Sequence, residues 1–102
     1  MTAYTTYTYT LEVERNGYQR AYYQFDGTEF VPMPRGCFEC YEHDERVDED
    51  TIVSDANSEL DTWEPGEITA RVIERAIFNE ESESDEYGEL EYEESIICIL
   101  ER

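Results

Sequence analysis

Cys37 and Cys40 stand three positions apart in "CFEC", and His43 follows at the same interval. Two thiolates and an imidazole at that spacing are the donor types of a tetrahedral zinc site. A structural site draws on two such pairs, however. The third cysteine, Cys98, lies far downstream inside "SIICIL", where a small buried hydrophobe is the ordinary occupant. Nor does the pair have the βαβ context in which a Cys-x-x-Cys motif gains a reactive thiolate. The sequence therefore reads Cys37 and Cys40 as free thiols near a loop, with no metal or other cofactor assigned. Acid–base chemistry has little else to draw on. There is no lysine and His43 is the single histidine, so a nucleophile–base pair would have to be built on it alone. "DEDTIVSDANSE" is acidic but lacks the alternating ligands and central glycine of a calcium loop. The expectation is a protein that is not an enzyme.

What the chain has in excess is carboxylate. It carries 27 acids against 7 arginines, for a formal net charge of −20. Binding nucleic acid by neutralising phosphates requires clustered Lys and Arg, so that class is excluded, and an anionic membrane surface is excluded by the same argument. The densest run, "EESESDEYGELEYEE", places Glu80, Glu81, Glu83, Asp85, Glu86, Glu89, Glu91, Glu93 and Glu94 within fifteen positions. Six of them (Glu81, Glu83, Asp85, Glu89, Glu91 and Glu93) occupy odd positions. In an extended strand these would share one face at intervals of about 6.6 Å, with Leu90 and Tyr92 turned to the core. The part from about Glu89 onward is expected to open the final strand and the part before Gly88 to be a solvated loop. A second run, "YEHDERVDED", contributes Asp44, Glu45, Asp48, Glu49 and Asp50.

These runs need elements to hold them. With 39% hydrophobic residues, nine tyrosines, four phenylalanines and one tryptophan, the chain has enough apolar area to fold despite its charge. Its 102 residues fit a single domain, 1–102. Tyr7, Tyr9, Leu11 and Val13 alternate with Thr6, Thr8, Thr10, Glu12 and Glu14, the pattern of a half-buried strand. Asn16-Gly17 supplies a hairpin turn before "YQRAYYQF", and Asp26-Gly27 leads into "TEFVPM", where Pro32 marks an edge strand or a strand's end. Residues 34–50 read as loop. "EITARVIERAIF" has Ile68, Val72, Ile73, Ala76 and Ile77 at helical spacing, which predicts an amphipathic helix from about Pro65 to Phe78. "SIICIL" predicts a central strand buried on both faces. The expected fold is α+β: an antiparallel sheet of about four strands, a meander then a C-terminal strand, with one amphipathic helix packed on it. The absence of a long apolar stretch, the reduced cysteines and an N-terminus unlike a signal peptide point to the cytoplasm.

A compact chain of this length has a diameter of roughly 34 Å, and duplex DNA carries about twenty charges over that distance. The net charge of −20 is of the same size. In its length, lack of lysine, two acidic runs and aromatic-rich β segments, the sequence resembles the small acidic DNA-mimic inhibitors carried by phages and mobile elements, of anti-CRISPR or anti-restriction type. That resemblance is one of class and brings no diagnostic motif. It implies a non-enzymatic protein working in the cytoplasm of a host bacterial cell. Its partner would be a basic nucleic-acid-binding protein, a CRISPR-Cas effector of Cascade type, whose DNA groove it fills without touching nucleic acid itself. The fourteen acids of the two runs, from Glu80 to Glu94 and from Asp44 to Asp50, are the residues it would present. Two other readings use the same charge: a domain adapted to high salt, and an acidic partner of some other basic protein. Twenty glutamates against seven aspartates, the aromatic content and three cysteines weigh against the first.

Overall fold

The computed structural model describes residues 3–33, 41–80 and 91–102. Strand β1 (Ala3–Arg15) follows the alternation of its sequence: Tyr9, Leu11 and Val13 are buried on one face, with the threonines on the other. Asn16 and Gly17 both take positive φ (56° and 81°), the mirror-image turn that matches the twist of a hairpin, and the Tyr18 N–H returns to the Arg15 carbonyl at 3.3 Å. β2 (Gln19–Phe25) runs back along β1. At the next turn Asp26 Oδ1 accepts the N–H groups of Thr28 and Glu29, which holds its carboxyl below the usual range, and Gly27 sits at φ 112°. β3 (Phe30–Pro32) is a short edge strand ending at the proline, as expected.

The helix lies elsewhere than its predicted position. Residues 68–78 are not helical; they belong to β4 (Ile68–Glu80), which pairs antiparallel with β1 along the full length of both strands. "ITARVI" fits two periods at once. Read by twos, Ile68, Ala70 and Val72 turn inward and are buried, and the β-branched side chains suit a pleated surface. Thirteen ladder positions against β1 outweigh the local helical pattern. The helix α1 (Glu49–Leu60) instead starts at the end of the stretch read as loop and runs on through residues 51–60, to which the sequence reading gives no element. Its apolar stripe is narrow: Ile52, Ala56 and Leu60, four residues apart and all buried. Glu49 and Asp50 in the first turn favour the positive end of the helix dipole. At the other end the Arg102 guanidinium reaches the Asn57 carbonyl and the Asp61 carboxylate.

β5 (Glu91–Glu101) completes a five-stranded antiparallel sheet in the order β3-β2-β1-β4-β5, an α+β fold with one strand more than expected. α1 covers one face, where it packs with Leu11, Val13, Tyr23, Phe25, Phe30 and Val72. "SIICIL" is therefore an edge strand, not a central one. A β-bulge accounts for its pattern: Ile73 pairs with Ile96 and the adjacent Val72 with Cys98, so Ile97 is the extra residue. The bulge resets the alternation. Ile96 and Ile99 both lie on the face away from the helix and are 52% and 62% exposed, while Cys98 and Leu100 turn toward the core. Tyr92, expected to face the core, is on that open face and 54% exposed.

Candidate acidic interface

The backbone register aligns the two acidic runs. Glu93 pairs with Ala76, Ala76 with Tyr7, and Tyr7 with His43, so these four residues form one row across the sheet. Asp44 and Glu45 follow His43 directly. Three inter-strand steps put Glu93 about 14 Å from the 43–45 segment, close to the roughly 12 Å width of a DNA major groove. The His43 bridge is made by paired backbone bonds of 2.8 Å each with Tyr7. The chain approaches from the open face, where the Tyr41 N–H donates to Gln24 Oε1 (3.2 Å), and continues onto the helix face, where Val47 joins the core. His43 serves as an anchor for this passage. Its Nε2 donates to the Phe25 carbonyl at 2.9 Å, and its ring stands 6.0 Å from Tyr9 and 5.7 Å from Phe25.

A buried polar junction holds the segment after His43 in place. Tyr9, with no exposed surface, accepts the Val47 N–H and donates to Glu74 Oε2, both at 2.9 Å. Burial, aided by the neighbouring Glu74 carboxylate, pushes the phenol up to about 12. Glu74 in turn lies 3.6 Å from Arg46, whose guanidinium is seated over the Tyr7 ring at 5.3 Å. One tyrosine thus fixes the exit of the acidic run "YEHDERVDED" onto the sheet, and Arg46 is spent on an internal carboxylate.

The six described arginines each pair with a carboxylate: Arg15 with Glu64, Arg20 with Glu14, Arg46 with Glu74, Arg71 with Glu12, Arg75 with Glu94, and Arg102 with Asp61. Of the predicted site residues, Asp44, Glu45, Asp48, Glu49, Asp50 and Glu93 are exposed, and no described arginine lies within ion-pairing distance of any of them. Glu94, an even position outside the expected ladder, is on the opposite face from Glu93 and is paired with Arg75. Glu80 ends β4, in register with Ala3 of β1, and Glu91 opens β5, in register with Phe78. Glu81, Glu83, Asp85, Glu86 and Glu89 lie outside the described residues, as do Cys37 and Cys40. Glu93, expected on the outer face, lies on the helix side of the sheet, in register with Ala76.

Among the described residues no group of three or more His, Cys, Asp or Glu is arranged to hold a metal ion. Cys98 is a free thiol, half-buried, with its pKa raised by burial. No helix among the described residues is long and apolar enough to cross a membrane. Sequence reasoning missed the Tyr9–Glu74–Val47 junction and the placing of Arg46. By its alternation Tyr9 reads only as one of the inward residues of β1, and its hydroxyl, which Tyr7 shares, is the single signal for more. Comparison with known proteins gives no match to any family model, curated protein or solved structure.

Proposed function

We propose that this protein is a non-enzymatic inhibitor that presents a DNA-like negative field and occupies the basic nucleic-acid-binding groove of a partner protein. Within that class, the resemblance of the sequence to anti-CRISPR proteins selects a CRISPR effector of Cascade type, in the cytoplasm of a bacterial cell, as the partner, and blocked target-DNA binding as the outcome. The observation that carries the reading is the distribution of charge. The described arginines are paired with other glutamates and aspartates, so Asp44, Glu45, Asp48, Glu49 and Asp50 form one group with no ion pair to a described arginine. Glu93 stands on the same side of the sheet, three strand steps away. Carboxylates held on a strand, a helix start and a pinned segment are preorganised, so a basic partner does not have to order them on binding. Their summed field would also speed encounter at low ionic strength. Phe78, 37% exposed and two positions from Ala76 on the same face of β4, offers an aromatic contact of the kind that anchors protein interfaces.

The test is capture. The tagged protein, incubated with bacterial lysate containing an active effector, should retain an effector complex that no longer binds its target DNA and that is released by high salt. Recovery of the complex with DNA binding intact would refute mimicry, and recovery of no effector would refute this choice of partner.

A further inference from the structure

The face of the sheet opposite α1 differs from the rest of the surface. Among the described residues three arginines (Arg20, Arg71 and Arg75) stand there among four glutamates (Glu12, Glu14, Glu94 and Glu101), close to neutral in a chain of net charge −20. It also carries exposed apolar side chains. Thr8 and Gln24 at one end of this face are buried, and the open part lies below them. There a groove of about 360 Å³ is lined by Glu12, Arg20, Tyr22, Arg71, Ile96 and Ile99. Tyr22 is 48% exposed. Exposed isoleucines and a tyrosine in a contiguous patch mark an interaction surface.

The register shows which partner fits. One row across the strands reads Tyr22, Glu12, Arg71, Ile99, and the next, away from the buried end, reads Arg20, Glu14, Thr69, Glu101; the row on the other side starts at the buried Gln24 and is left out of the contact. A second copy turned over by a two-fold axis parallel to the strands, between β1 and β4, lays each row on its own reverse. Glu12 then faces Arg71 of the other copy, Tyr22 faces Ile99, and Arg20 faces Glu101. Every charge in the two charged rows meets either the opposite sign or a threonine, and the apolar ends meet each other. We infer that this face is the interface of a symmetric homodimer, an isologous contact in which one patch is its own complement. A basic partner has no reason to prefer a neutral patch over the acidic side, and two copies carrying −20 each approach with least repulsion here. The sheet edges do not compete. β3 is three residues long and ends in Pro32, while β5 is interrupted by the bulge at Ile97 and has glutamates at both ends. The dimer turns both acidic helix sides outward, giving one particle two DNA-like faces.

Sedimentation equilibrium from about 10 µM to 1 mM, in ordinary buffered salt, tests this; the concentration range spans contacts of modest area. The expected result is a reversible rise in mass from 12.1 kDa toward twice that value. Ile99→Glu should weaken association roughly tenfold or more, with the circular dichroism spectrum unchanged. Glu12→Arg should also weaken it, because two arginines then face each other across the axis, and adding Arg71→Glu should restore it. A wild-type chain that stays monomeric at 1 mM would overturn the inference and leave the patch to a segment of the same chain or to a different protein. A dimer insensitive to Ile99→Glu, or a swapped double variant that stays monomeric, would equally overturn the geometry.

Discussion

Replacing Tyr9 with Phe removes one oxygen from a site with no exposed surface and leaves the ring, with its edge-on contact to Phe25 at 6.4 Å, in place. That oxygen has two partners. The Val47 N–H would lose its acceptor, at a cost of about 1–3 kcal/mol for a buried unsatisfied group, and Glu74 would lose a donor to its carboxylate. A combined loss of about 2–3 kcal/mol follows, a large part of the roughly 5–15 kcal/mol that holds an ordinary domain folded. In urea this moves the midpoint down by about 1–2 M if the slope is typical of a small domain. Tyr7→Phe is the control, since Tyr7 is half-buried and bonded through its backbone; it should change stability by less than about 0.5 kcal/mol. The pH dependence has a defined sign. The folded state holds the Tyr9 proton up to about 12, whereas the unfolded chain releases it near 10. Between those values the unfolded state is favoured progressively, so the wild type loses stability as pH rises from about 10 to about 12. Tyr9→Phe lacks this titration, and the gap between the two proteins should narrow across the window. Urea melts at pH 7, 10 and 11 measure both effects. A Tyr9→Phe protein as stable as Tyr7→Phe at pH 7, or a gap that widens at high pH, would refute the assigned role of the junction.

Three further outcomes follow. Gly66→Ala would place a methyl 2.8 Å from Asn16 Oδ1 and displace the side chain that accepts the Glu67 N–H, costing about 1–2 kcal/mol in chemical melts. Ile52→Ala, at the centre of the helix–sheet contact and without exposed surface, should cost about 2–4 kcal/mol by the same measurement. Raising sodium chloride from 0.05 to 1 M should increase the melting temperature steadily, because screening relieves self-repulsion at net charge −20. The domain should already be folded at 0.05 M. Loss of structure below molar salt would indicate adaptation to a saline environment instead.

The parts of the fold that could be read from the sequence are those where local signals agree. In β1 the alternation of Tyr7, Tyr9, Leu11 and Val13 admits one period only, and Asn16-Gly17 fixes the turn chemically. The failures come where one stretch satisfies two patterns. "ITARVIERAIF" is helical by spacing and extended by alternation, and only its thirteen-residue partner, β1, decides. α1 is hidden because only three of its apolar residues (Ile52, Ala56 and Leu60) form the inward stripe among acids and serines, sufficient because Leu11, Phe25 and Phe30 lie beneath it. In β5 the bulge at Ile97 inverts the expected faces, and a bulge leaves no mark on hydrophobicity. Of the candidate interface, exposure of the second acidic run could be anticipated from composition. Its alignment with Glu93 could not, since it depends on a pairing between residues 36 positions apart, Tyr7 and His43.

In the proposed function the acidic side of this molecule competes with DNA for one basic groove. Fluorescence anisotropy of labelled target DNA bound to the purified effector, titrated with wild-type protein and with a triple variant (Asp44→Arg, Glu45→Arg and Glu93→Arg), tests it most directly. The wild type should displace the DNA, less effectively as salt rises, and the folded triple variant should do so at least tenfold less well. Displacement by the variant equal to that of the wild type, or inhibition of the effector with its DNA still bound, would contradict it.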